Sequence, residues 1–149
     1  DEMETKDVIL NLRIKHNLSQ DELAEKLFVT RQAVSRWENG DTVPNTETLK
    51  LLSKVFNVSI NTILGSPRKL FCQCCGMPLE DDILSKEADG SFNEEYCKWC
   101  YNDGEFFYKS KEDLLDYLVQ NMPNPQNLDD ATRSKQFDEY LSTLKHWQE

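Results

Sequence analysis

Residues 30–40 read TRQAVSRWENG, and the two faces of this stretch decide the first half of the chain. At helical spacing Ala33, Val34 and Trp37 point one way and form an anchoring stripe. Gln32, Ser35, Arg36 and Asn39 recur at i, i+3, i+4 and i+7 on the opposite side. An ordinary solvated helix face favours Glu and Lys. This one carries Gln, Ser, Asn and Arg, with Arg31 beside it, and such side chains can hydrogen-bond base edges in a major groove. Thr30 is the expected N-cap and Gly40 lies just past the end.

Working outward, LSQDELAEKL precedes this helix after a link of about three residues, Phe28 to Thr30. Ser19 is an N-cap with Glu22 three residues on, a capping box, and Leu23, Ala24 and Leu27 supply the buried face. Before it, Val8, Ile9 and Leu12 mark a first helix ending near Asn17. After it, Pro44 sits in a loop. A fourth helix starts near Thr46 and buries Leu49, Leu52 and Phe56, and a short fifth runs from Ser59 to Leu64.

These residues carry a resemblance. Leu18-Ser19-Gln20, Leu23-Ala24, Ser35-Arg36-Trp37-Glu38-Asn39-Gly40, Pro44 and the closing helices resemble the Cro/repressor-type (XRE-like) helix-turn-helix family over residues 6–65. The resemblance implies a five-helix lambda-repressor-like domain whose third helix enters the major groove of double-stranded DNA. Carried onto this chain, Arg31, Gln32 and Ser35 would read bases, while Gln20, Arg36 and Asn39 would hold phosphates and set register.

Charge is divided unevenly. Residues 1–70 hold ten Lys/Arg and ten Asp/Glu, whereas residues 71–149 hold seven and seventeen, so the whole net charge of −10 lies in the second half. Any contact with a polyanion is therefore expected from the first half, and a neutral module is expected to need a second copy on a palindromic site, hence a homodimer. The acidic half is expected to meet protein, metal or a small effector, or simply to be a solubilising surface.

The second half opens with FCQCCGMPLE, residues 71–80, which crowds Cys72, Cys74 and Cys75 together. With Cys97 and Cys100 the pattern becomes C-x2-C-x21-C-x2-C, the architecture of a four-thiolate zinc site slightly stretched beyond the usual separation of about 15–20 residues. One Zn2+ per chain held by Cys72, Cys75, Cys97 and Cys100 would supply folding energy to a segment too short to build a core alone. Spacing leaves Cys74 surplus, either a passive small residue or a redox handle. Asp89-Gly90 signals a hairpin turn, with Phe92 and Tyr96 in the strand leading to the second pair. FCQCCGMPL together with DGSFNEEYCKWCYNDGEF resembles a bacterial zinc-ribbon family of uncharacterised function, and the likeness runs to the closing LSTLKHWQE. A third thiol at position 74 departs from that family's pattern.

In the tail, Ser110 caps a helix carrying Leu114, Leu115, Leu118 and Met122. From about Asp129 a second helix is expected to present Phe137, Tyr140, Leu141, Leu144 and Trp147. That stripe is expected to cover the ribbon, with a small pocket lined by Trp99, Phe106 and Trp147 as an alternative use. His16 and His146 lie outside the cysteine segment and are read as surface or packing residues.

The expected fold is mainly α: a helix-turn-helix domain over 1–65, a short linker over 66–70, and a small β zinc ribbon with two amphipathic helices over 71–149. The expected function is a cytoplasmic DNA-binding transcriptional regulator whose acidic half dimerises or senses. The second expectation is an antitoxin-like adaptor whose acidic half binds a protein partner. An enzyme is not expected, because no nucleophile–base set, phosphate loop or open metal site is legible. Neither is a membrane span, because no stretch approaches the ~18–20 apolar residues one needs.

Overall fold

The computed structural model describes residues 3–148. Asp1, Glu2 and Glu149, and with them the acidic start of the chain and the last residue of the closing segment, lie outside the described residues. The chain divides into two compact units, one of residues up to Lys69 with Gly90–Phe92, the other of Leu70–Asp89 and residues from Asn93 onward.

The first unit is built from five helices: α1 (Thr5–Lys15), α2 (Gln20–Leu27), α3 (Arg31–Asn39), α4 (Thr46–Phe56) and α5 (Ile60–Ile63). Their ends follow local chemistry. Ser19 Oγ accepts from Glu22 N at 3.0 Å while Ser19 N donates to Glu22 Oε1 at 3.0 Å, closing the capping box that starts α2. Thr30 Oγ1 accepts from Ala33 N at 3.1 Å and starts α3. Gly40, at φ 82, ends it in the left-handed conformation that a side chain disfavours. Asn45 caps α4 by accepting from Thr48 N at 2.9 Å, a signal the sequence reading passed over. Ile9, Leu23, Leu27, Val34, Leu52 and Ile63 are fully buried in one cluster that also takes in Trp37 and Phe56. Each such side chain contributes about 1.5–3 kcal/mol on burial, so the apolar stripe of α3 fixes which of its faces is left outside.

The second unit has little sheet. β1 (Leu84–Lys86) pairs with β2 (Phe92–Cys97), which lies in this unit from Asn93 onward. β3 (Tyr101–Asn102) pairs antiparallel with β4 (Glu105–Phe106), Tyr101 opposite Phe106. Two helices follow, α6 (Lys111–Asn121) and α7 (Asp130–Leu141), then a single 3-10 turn, Lys145–Trp147. Ser110 and Asp129 cap the helices. α7 stops at Leu141 rather than running on through Leu144 and Trp147. Ser142 Oγ donates to Asp138 O at 2.8 Å and Thr143 Oγ1 to Tyr140 O at 2.7 Å, side-chain bonds that compete with a helical continuation. Leu114, Leu118, Leu141 and Leu144 are buried between these elements, whereas Met122 is exposed.

Candidate nucleic-acid interface and metal centre

The exposed side of α3 carries Arg31, Gln32, Arg36 and Asn39, with Ser35 half-buried, opposite buried Val34 and Trp37. The structure therefore presents five of the six predicted DNA-facing residues along one helix. The sixth, Gln20, sits at the first position of α2 and is turned inward: its Nε2 donates to Glu38 Oε1 at 3.1 Å. Glu38 in turn accepts from Arg13 Nε at 2.6 Å and Nη2 at 2.8 Å. Arg13 also donates to Leu18 O at 2.9 Å, so one guanidinium ties α1, the turn before α2, and α3 together. The hydrogen bond to Glu38 holds Arg13 even more firmly charged than usual, against the opposing effect of burial. Sequence reasoning missed this pair, because residues 25 apart carry no local signal.

Phe28, in the link between α2 and α3, combines φ 58 with 88% exposure. A bulky residue in the left-handed region, with its ring mostly in solvent, is unusual.

The four cysteines selected by spacing converge. The Sγ atoms of Cys72, Cys75, Cys97 and Cys100 all lie within 4.8 Å of one another. Those of Cys75 and Cys97 are 3.9 Å apart. A tetrahedron of sulfurs about 2.3 Å from a central zinc has edges of roughly 3.8 Å, so the donor set fits zinc in both element and spacing. The backbone shapes each knuckle. Gly76 N donates to Cys72 O at 2.8 Å, Cys72 N to Met77 O at 2.8 Å, and Cys100 N to Cys97 O at 3.1 Å. Cys75 N and Cys97 N point at Cys72 Sγ at 3.4 and 3.3 Å, a pattern that stabilises a thiolate.

Hydrogen bonds among the four sulfurs push the Cys72 and Cys97 thiols down and the Cys75 and Cys100 thiols up. Four facing thiols do not all ionise together without a cation, and a divalent ion of thiolate preference removes that obstacle. Cys74, fully buried, contributes no atom to this set of four.

Residues 71–148, just over half of the chain, match the family described as "Putative zinc ribbon domain". The chain belongs to this zinc-ribbon family. The zinc ribbon is preceded by residues 9–63, which match the family described as "Helix-turn-helix".

The zinc-ribbon match reaches residue 148 for a visible reason: the closing turn clasps the first knuckle. Trp147 Nε1 donates to Cys74 O at 2.7 Å, His146 N to Gln73 O at 3.0 Å, Lys145 N to Gln73 Oε1 at 3.1 Å, and Tyr140 Oη to Gly76 O at 2.9 Å. The expected covering of the ribbon by its tail is thus formed through the main-chain oxygens of Gln73, Cys74 and Gly76 and the side-chain oxygen of Gln73. His146 packs against Phe106 with ring centroids 4.2 Å apart, and burial pushes its pKa down, toward the neutral imidazole of a packing residue. His16, exposed at the end of α1, has its Nδ1 2.8 Å from Leu12 O.

Among relatives, the HTH-type transcriptional activator BcrR of Enterococcus faecalis is 47% identical over 63 residues, covering 42% of this chain and 31% of that one. Antitoxin PezA of Streptococcus pneumoniae is 37% identical over 81 residues, 54% and 48%. The HTH-type transcriptional regulator ImmR of Bacillus subtilis is 34% identical over 97 residues, 63% and 72%. The chain thus spans less than half the length of the first two. Among solved structures, the DNA-binding domain of the P22 C2 repressor is similar over 44% of this chain and 86% of that one, at 31% identity and a TM-score of 0.41. No helix among the described residues is long and apolar enough to cross a membrane.

Proposed function

We propose that this chain is a sequence-specific DNA-binding transcriptional regulator with a structural four-cysteine zinc site in its acidic half. The observation that carries this reading is α3. Its apolar side is locked in the core, and its outward side offers Arg31, Gln32, Ser35, Arg36 and Asn39 in place of ordinary solvating charge. Arg31, Gln32 and Ser35 read base edges in the major groove of double-stranded DNA, and Arg36 and Asn39 hold phosphates. Gln20 Nε2 spends one N–H on Glu38 and keeps the other for a phosphate that sets register. The helix-turn-helix domain over 1–65, the linker over 66–70 and the ribbon domain over 71–149 divide the work. Two chains act on a palindromic site, with the acidic domain dimerising or sensing. Such a protein works in the cytoplasm. The two HTH-type relatives, BcrR and ImmR, support the regulator reading.

Cys72, Cys75, Cys97 and Cys100 would hold one zinc ion, which would fasten the two knuckles together. With all four positions taken by thiolates such a site does no chemistry. Cys74 is a packing residue rather than a redox handle, because full burial denies oxidants access to its sulfur.

A second reading, an antitoxin-like adaptor, is favoured by the similarity to PezA and by the acidity of residues 71–149. Fluorescence anisotropy on DNA from the protein's own promoter, at one fixed salt concentration, separates the two. Selective binding of promoter over scrambled DNA supports the regulator. Equal affinity for both sequences overturns it and favours the adaptor.

A further inference from the structure

We propose that the second unit binds a planar, uncharged aromatic molecule of drug size, in a cavity between the zinc knuckles and helices α6 and α7. The inference rests on the zinc-filled ribbon of the proposed function.

The cavity measures about 1080 Å³. That is just above the range of pockets that take small organic ligands, roughly 300–1,000 Å³. Its wall is aromatic. Phe107 is 72% exposed, Trp99 56%, Tyr117 48% and Tyr140 46%, and all four line this one cavity. Scattered exposed apolar residues are ordinary, but several large rings gathered around one hollow are not. Of the three residues of the pocket offered by the sequence as an alternative, Trp99 and Phe106 line this cavity, whereas Trp147 donates to Cys74 O and lies off the lining.

The lining also sets the charge of the occupant. Lys98 Nζ already sits 5.1 Å from the Trp99 ring centroid, and Lys109 Nζ donates to Phe106 O at 3.0 Å. Glu105, the remaining charged residue of the lining, is exposed. Two of the tyrosine hydroxyls are spent as well, Tyr101 on Glu87 and Tyr140 on Gly76 O. What the cavity offers is flat ring faces with both ammonium groups already engaged, and an uncharged ring system stacks on such faces without desolvating a charge. Cys75, Cys97 and Cys100 belong to the wall together with Leu114 of α6 and Tyr140 of α7, so an occupant would bridge the metal knuckles and both helices.

The test uses the full chain, loaded with zinc and with its metal content measured first. It is titrated with the uncharged planar dye Nile red. The expected result is saturable, blue-shifted emission at one dye per chain. Tyr117→Glu should weaken binding roughly tenfold by removing one ring contact and placing a charge in the wall. Phe28→Gly, which removes the exposed ring of the first unit, should leave binding unchanged. If Tyr117→Glu loses its zinc or its fold, Phe107→Glu takes its place with the same expected weakening. Unsaturable dye uptake, or equal affinity in the wall variants, overturns the proposal. So does a dimer that dissociates in Tyr117→Glu while no dye binds, because a second copy would then be the occupant. A chain that holds no zinc at all overturns the ribbon reading, whereas zinc-loaded protein that ignores the dye overturns only the cavity.

Discussion

Arg13 and Glu38 form a two-point ion pair, Nε to Oε2 at 2.6 Å and Nη2 to Oε1 at 2.8 Å, that ties the first helix to the candidate recognition helix. Both side chains are largely shielded, 15% and 5% exposed, so water screens the pair little. Glu38→Ala leaves the guanidinium half-paired and strips Gln20 of its acceptor. It should lower stability by about 2 kcal/mol. A urea titration at constant ionic strength reads this as a lower midpoint with an unchanged slope. An unchanged midpoint would show that the pair contributes nothing.

Metal content offers a second check. Native protein should carry one zinc per chain. Cys75→Ser and Cys97→Ser should lose it, while Cys74→Ala should keep it, because Cys74 is not among the four converging sulfurs. Chelation should abolish the near-ultraviolet circular dichroism of the second unit and leave the helical signal of the first, whose core contains no cysteine. Lowering pH should release the ion, since protons compete with it for thiolate sulfur. Retention of zinc in both Cys75→Ser and Cys97→Ser would contradict the assigned ligand set.

Gly76 is where the tail meets the first knuckle. A Cβ built on it would collide with the Tyr140 ring at Cε2, and its φ is +81. Gly76→Ala should therefore destabilise the second unit twice over: by roughly 1–2 kcal/mol for the backbone, plus displacement of the Tyr140 ring. Tyr140→Ala alone gives up its bond to Gly76 O, so Gly76→Ala made in that background should cost only the backbone part. Thermal melts of native protein, the two single variants and the double variant separate the effects. No cost of Gly76→Ala in the Tyr140→Ala background would mean that the backbone conformation costs nothing.

The parts of the fold legible in the sequence were those written locally. Ser19 with Glu22, Thr30 before α3 and Gly40 after it mark helix ends within four residues of the atoms they serve. The cysteine spacing is equally local within each knuckle. What escaped depended on distance along the chain. Tyr140 reaches Gly76 O across 64 residues and Trp147 reaches Cys74 O across 73, and no periodicity encodes either bond. The early end of α7 escaped because apolar spacing continued to Trp147 while Ser142 and Thr143 broke the backbone ladder. Gln20 was read as a free polar contact because its acceptor, Glu38, lies 18 residues away.

Phe28 gives a prediction of opposite sign. At φ 58 a phenylalanine is held where glycine is at ease, and its exposed ring offsets little of the cost. Phe28→Gly should raise stability by about 1 kcal/mol, read as a higher urea midpoint. A fall would reveal that the ring makes a stabilising contact.

The central claim is that α3 reads bases. The most direct test is the ratio of affinities for promoter and scrambled DNA, measured by anisotropy for the native chain and for Gln32→Ala at the same salt concentration. Gln32 is exposed, and its removal should spare the fold. Loss of one base contact is worth about 1–3 kcal/mol, so the ratio should fall roughly tenfold or more while affinity for scrambled DNA holds. A ratio unchanged in Gln32→Ala would contradict the account.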